Sequence, residues 1–116
     1  MERRNDMNLL LDFYGGLLND SSMKMCSMYY GEDMTLAEIA ELMGVTRQAV
    51  HGVVRRTEDK LLNYESKLHL IDKSRKIRRE INAVTQSLER VEASTETKQA
   101  LAQAIESLGR IEWIEE

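Results

Sequence analysis

Apolar residues recur at intervals of three and four along almost the whole chain, the period of an α-helix, and no stretch carries the alternation that marks a strand. Met7, Leu10, Leu11, Tyr14, Leu17 and Leu18 share one face of a first helix from Asn5 to about Leu18, weakened at its end by Gly15-Gly16. A second helix, capped by Asp20 or Ser21, runs to about Tyr30. It has Met23, Cys26 and Tyr30 on one stripe and Met25 and Tyr29 on the next. After a turn at Gly31-Glu32-Asp33, Thr35 caps a third helix, with Glu38 three residues on to complete a capping box. Leu36, Ile39, Ala40 and Met43 form its apolar stripe. Gly44 ends it, because glycine takes the left-handed turn conformation without steric cost. Thr46 caps a fourth helix reaching about Tyr64, with Val45, Val50, Val53 and Val54 as the facing stripe and Leu61 further along.

From about Glu65 the spacing changes. Ile77, Ile81, Val84, Leu88 and Val91 follow intervals of 4, 3, 4 and 3, and Ile71 and Ser74 extend the series backward. This is a heptad seam, the pattern by which one helix packs along another. Ala93-Ser94-Thr95 reads as a break, with Ser94 or Thr95 capping a last helix lined by Leu101, Ala104, Ile105, Leu108, Ile111 and Trp113 or Ile114. The predicted fold is all-α: a four-helix head over residues 1–64 and a helical hairpin extension over 65–116. The head's core is expected around Phe13, Leu36, Ile39, Ala40, Val50, Val53 and Leu61. The two C-terminal helices carry more apolar stripe than one hairpin contact hides, which predicts a homodimer through them.

The segment TLAEIAELMGVTRQAVHGVVRR, Thr35 to Arg56, has the make-up of a helix-turn-helix. A small residue, Ala40, stands where the two helices touch, and Gly44 where the chain turns. In such a unit the second helix enters the major groove of DNA. Its outward residues Arg47, Gln48 and His51 are the candidate base readers, since Arg pairs with guanine and Gln with adenine in bidentate fashion. Arg55, Arg56 and Lys60 follow where phosphate contacts fall. The same face also reads as a solvated surface beside a protein partner. Lys73, Arg75, Lys76, Arg78 and Arg79, with Lys67 before them, form a second basic cluster, either a phosphate or RNA patch or the solvated flank of a paired helix.

Composition narrows the remaining classes. The chain has 116 residues, no proline, six glycines and one cysteine, and a net charge of −4. Residues 1–34 carry three basic and six acidic side chains, residues 35–79 ten and six, and residues 80–116 three and eight. Positive charge thus gathers from the second motif helix onward and an acidic tail follows. Its carboxylates, Glu80, Glu89, Glu92, Glu96, Glu106, Glu112, Glu115 and Glu116, suit a basic partner surface. Cys26 excludes an internal disulfide and fits a reducing compartment. No apolar run nears the roughly 20 residues a membrane span needs, and Asp6 and Asp12 interrupt any signal-peptide pattern at the N-terminus. A cytoplasmic protein follows. Two isolated histidines and one cysteine offer no metal ligand set. No phosphate-cradling glycine loop, catalytic triad spacing or paired carboxylates appear, so neither an enzyme nor a cofactor is expected. Met23, Met25, Met28, Met34 and Met43 fall at core spacing rather than forming a binding surface.

Three segments, DFYGGLL (12–18), MYYGEDMTLAEIAELMGVTRQAVHGVVRRTEDKL (28–61) and NYESKLHL (63–70), resemble the YlxM-like family of small bacterial proteins. The head is also similar to region four of bacterial sigma factors, which places a helix-turn-helix on promoter DNA. The resemblance implies an all-helical cytoplasmic protein with a sigma-like head. It also implies a link by gene context to the signal recognition particle GTPase and its receptor. Two functions follow from it: a DNA-binding regulator, or a non-enzymatic accessory of those GTPases or of the particle's RNA. The chain departs from the family pattern at Ser21-Ser22, where a Lys-Gln pair is frequent, and at Gly52-Val53, where a polar pair is. Gly52 costs the helix about 1 kcal/mol against alanine and leaves the reading face one side chain short.

Overall fold

The computed structural model describes residues 3–91 and 94–110, which form six α-helices and no strand. Helix α1 spans Arg3–Tyr14, and Met7, Leu10, Leu11 and Tyr14 are its buried face. It stops at a 3-10 turn, Gly15–Leu17. A Cβ on Gly15 would sit 2.7 Å from the sulfur of Met23, so the flexible end of that side chain fills the space a larger residue would need. The tighter turn also swings Leu17 off the apolar face. It is 59% exposed, against its expected place in the first stripe, while Leu18 packs on the core.

Helix α2 spans Asp20–Cys26. Its cap is Asn19, not Asp20 or Ser21: the Asn19 side chain accepts from the Ser22 N–H at 2.8 Å, one residue before the expected position. A π turn, Ser27–Gly31, follows. The wider turn shifts the register, so Met25 and Cys26 before it and Met28 and Tyr30 within it all reach the core. Asn8 ties this turn to α1, its Nδ2 donating to the Tyr30 carbonyl at 3.0 Å.

Helix α3, Leu36–Met43, opens with the expected capping box. The Glu38 N–H donates to Thr35 Oγ1 at 3.1 Å and the Thr35 N–H donates to Glu38 Oε1 at 3.0 Å. Gly44 closes it at φ 70°, in the left-handed region. Thr46 caps helix α4, Arg47–Leu68, by accepting from the Ala49 N–H. The helix continues past Tyr64 and ends at His69, itself at φ 55°. Val50, Val54, Thr57 and Leu61 are buried, and Thr57 returns its hydroxyl to the Val53 carbonyl, so the core meets no unpartnered oxygen. Val45 departs from expectation: it is 41% exposed, because its N–H closes back on the Ala40 carbonyl in the interhelical turn and the side chain faces outward. Of the expected core residues, Ile39, Ala40, Val50 and Leu61 are buried, while Phe13, Leu36 and Val53 are partly buried around them.

Helix α5 spans Leu70–Glu89 and α6 spans Thr95–Gly109. The chain divides into two compact units, Met1–Ile71 and Asp72–Glu116. In the second unit, the less exposed line of α5 runs through Ser74, Arg78, Ile81, Thr85 and Leu88, with Ile77 beside it. Val84 and Val91, expected on the seam, are 48% and 44% exposed. The heptad continues, but from Ile81 its next step is the four-residue one to Thr85. Ser94 caps α6, accepting from the Thr97 N–H. Leu101, Ile105 and Leu108 are its half-buried positions, and Ala104 is exposed. Glu92, Ala93, Ile111, Glu112, Trp113, Ile114, Glu115 and Glu116 lie outside the described residues. No helix among those described is long and apolar enough to cross a membrane.

Candidate nucleic-acid interface

Burying Val50, Val54, Thr57 and Leu61 turns the opposite face of α4 to solvent. All six residues proposed on that helix, Arg47, Gln48, His51, Arg55, Arg56 and Lys60, are exposed. Helical spacing sets Arg47, His51 and Arg55 in one row and Gln48, Arg56 and Lys60 toward the other side, with Gly52 between. A Cβ on Gly52 would meet the Arg56 guanidinium, Nη1 lying 3.1 Å away, so the glycine lets that guanidinium fold against the helix.

Two hollows flank the face. One, of about 650 Å³, lies between the Arg47, His51 and Arg55 row and a wall made by Tyr29, Met34 and the start of α3, with Arg4 at its rim. Arg4 pairs with Asp33 at 2.6 Å. Tyr30 and Glu58 lie at its base, the Tyr30 hydroxyl donating to Glu58 Oε1 at 2.5 Å. The other hollow, about 260 Å³, sets Arg56 and Lys60 beside Asn19, Ser21 and Ser22 at the start of α2. Neither Arg4 nor Tyr29 is among the contact residues expected from the sequence, which sets Tyr29 only on an apolar stripe of the second helix. They are brought to α4 by the π turn and the left-handed Asp33, neither of which leaves a periodic signal.

The second basic cluster lies on α5. Lys73, Arg75, Lys76 and Arg79 are exposed, as is Lys67 at the end of α4, whereas Arg78 is half-buried on the heptad line. Lys76 pairs with Asp72 one turn away at 3.2 Å. Of the acidic tail, Glu80, Glu89, Glu96 and Glu106 are described and exposed.

Cys26 is fully buried; desolvation pushes its thiol up to about 11, against a hydrogen bond with Thr57 that lowers it. It therefore stays protonated and unreactive at neutral pH. Burial likewise raises the phenol of Tyr30, helped by its bond to Glu58. Among the described residues, no group of three His, Cys, Asp or Glu side chains could hold a metal ion.

A family model described as "UPF0122: Putative helix-turn-helix protein, YlxM / p13 like" matches residues 1–105. The chain belongs to this family. A UPF0122 protein of Desulforamulus reducens is 49% identical over 73 residues, covering 63% of this chain and 62% of that protein. One from Clostridium botulinum is 45% identical over 74 residues, covering 64% and 68%. One from Streptococcus gordonii is 50% identical over 70 residues, covering 60% and 64%. The chain thus spans under two thirds of the length of the first and third of these UPF0122 relatives. The fold is that of the family: all-helical, with a helix-turn-helix in its head.

Proposed function

We propose that the protein is a DNA-binding regulator that lays the exposed face of α4 into the major groove. The observation that carries this reading is the solvent-facing set Arg47, Gln48, His51, Arg55, Arg56 and Lys60, held opposite a buried helix-turn-helix contact. Arg47, Gln48 and His51 read base edges from the first turns of the helix. Arg55, Arg56 and Lys60 meet phosphates and set the register. The hollows on either side of α4 give room for the two strands that border a groove. Lys73, Arg75, Lys76, Arg78 and Arg79 add sequence-independent attraction, and the acidic tail opposes it. The test is fluorescence anisotropy with genomic duplex fragments from low to physiological salt. The log–log slope should be roughly −0.9 per phosphate neutralised, and Arg47→Ala with Arg55→Ala should abolish binding. A salt-independent association, or none at low ionic strength, would refute the reading.

The apolar positions of α5 beyond Ile71 and of α6, none buried among the described residues, favour a second reading. In it, the C-terminal helices pair with a second copy or dock on a protein partner, the signal recognition particle GTPase being the one the family resemblance suggests. A pull-down with and without nuclease separates the two. A nuclease-resistant GTPase partner, retained by the arginine variant, would support the accessory role.

A further inference from the structure

The larger hollow beside α4 offers more room than a single phosphate contact needs. At about 650 Å³ it has the size of a small-molecule site, such sites running roughly 300–1,000 Å³. Its lining has two kinds of chemistry. On one side stand Arg47, His51 and Arg55, one helical turn apart and solvent-facing. Neither arginine makes an ion pair among the described residues. On the other stand Met34 and the half-buried ring of Tyr29, whose orientation is held by edge-on packing against Tyr30, centroids 4.9 Å apart at 78°. The two carboxylates nearby are already engaged, Asp33 with Arg4 and Glu58 with the Tyr30 hydroxyl. Three guanidinium groups, Arg4, Arg47 and Arg55, stand against these two carboxylates, so the lining carries a positive excess. An aromatic ring beside an apolar wall, in the same hollow as two arginines outside the ion pairs described, matches a planar base joined to phosphate. The ring stacks on the base, and the arginine forks hold phosphate oxygens.

We infer that this cavity binds a nucleoside phosphate, base on Tyr29 and phosphates on Arg47 and Arg55. It rests on the reading of α4 as the DNA-facing helix only for its consequence. Since Arg47, His51 and Arg55 belong to both surfaces, a bound nucleotide and a DNA duplex exclude each other, which would make the nucleotide a regulator of DNA binding. Gln48 and Arg56 lie outside the cavity, and Arg4 and Tyr29 lie outside the reading row, so the two activities separate by mutation.

Titration calorimetry of the full chain with ATP and with GTP at low salt tests the site directly. Saturable binding of either is expected, weakened about tenfold for each charge-assisted contact removed, in Arg47→Ala and in Arg55→Ala. Arg4→Ala should weaken it too, by releasing the Asp33 carboxylate toward the phosphates. Gln48→Ala should leave it unchanged. No binding by either nucleotide at millimolar concentration overturns the inference, whatever DNA does. So does nucleotide binding that survives Arg4→Ala and Arg55→Ala alike in variants whose circular dichroism melts match the parent. In a second arm, the nucleotide should release a labelled duplex. Nucleotide binding through these residues with no duplex binding would uphold the cavity and end the DNA reading. Simultaneous binding of both would overturn the shared surface.

Discussion

The hydroxyl of Tyr14 donates to Oε1 of Glu65 at 2.5 Å, joining residues 51 positions apart. The same two atoms receive the opening N–H groups of α5: Leu70 donates to the Tyr14 oxygen at 3.2 Å and Ile71 to Glu65 Oε1 at 3.1 Å. The end of α1, the last turn of α4 and the first turn of α5 thus meet at one phenol and one carboxylate. The four leading N–H groups of a helix lack partners within it, and here two of them find side chains from the head. Tyr14→Phe leaves the Leu70 N–H without its acceptor and takes the phenol donor from Glu65, which keeps the Ile71 N–H, while preserving the ring. A loss of about 1–2 kcal/mol is expected, read as a lower urea midpoint with unchanged slope. A midpoint equal to the parent's would show that water replaces the phenol at no cost.

Alkaline pH should weaken the fold through Cys26. Its thiol is raised from 9.0 to about 11 by burial. A folded-state pKa above the unfolded value means the unfolded chain loses its proton first. The stabilisation is complete below pH 9 and is lost as pH rises through about 11. The loss is on the order of 2 kcal/mol for a group this buried. Tyr14 and Tyr30, both raised from 10.0, extend the decline to higher pH. Urea unfolding between pH 8 and 11 should show the fall, and Cys26→Ala should flatten its first part. A parent and variant with identical pH slopes would place the thiol in contact with water.

Much of the head was readable because its signals are local. Thr35 with Glu38, Gly44, and Thr46 each act within four residues of themselves, and each does in the structure what its spacing predicts. The misplaced residues sit where the backbone leaves the 3.6-residue period. Leu17 follows a 3-10 turn, Val45 closes the interhelical turn, and Val84 falls where the heptad takes its longer step. The Tyr14–Glu65 junction and the cavity wall at Arg4 and Tyr29 depend on residues tens of positions apart, and no periodicity encodes such a meeting. The exposure of the α4 row followed from the buried row, since one helix face implies the other.

Two glycines in the motif should respond in opposite directions to alanine. Gly44 stands at φ 70°, where a Cβ costs roughly 1–2 kcal/mol, although nothing lies within 4 Å of it. Gly52 lies inside α4, where alanine gains about 1 kcal/mol in helix propensity. The three nearest atoms a Cβ there would meet belong to the flexible Arg56 guanidinium. Gly44→Ala should lower the melting temperature and Gly52→Ala should raise it. A Gly52→Ala protein that melts lower would mean that the close packing of Arg56 on the helix matters more than propensity.

Ala40 tests the helix-turn-helix contact itself. It is 6% exposed, and its carbonyl accepts from the Val45 N–H in the turn. Leucine at this buried position must displace α4 or the core side chains around it. Overpacking of this kind costs about 1–3 kcal/mol. Ala40→Leu should therefore unfold at lower urea and, if α4 shifts, lose duplex binding beyond what its stability loss explains. Stability equal to the parent would mean that the two helices do not touch at Ala40.

The C-terminal unit makes the last prediction, concerning what completes it. Helix α6 has 15 residues, none of them buried, which puts it only at the edge of the roughly 12–15 residues an isolated helix needs in water. Ile77, Ile81 and Leu88 on α5, and Leu101, Ile105 and Leu108 on α6, remain half-covered. The end of α5 and the start of α6 border a hollow of about 420 Å³ lined by Leu88, Val91, Leu101 and Ile105. A second copy offers the same apolar stripe in return, which is the requirement for a two-fold contact. Sedimentation equilibrium should show a dimer at micromolar concentration. Ile81→Asp with Leu88→Asp should return it to monomer and lower the helix content of the C-terminal unit, while the head's urea transition stays in place. A parent chain that sediments as a monomer at every accessible concentration would remove the second copy as the partner of these helices.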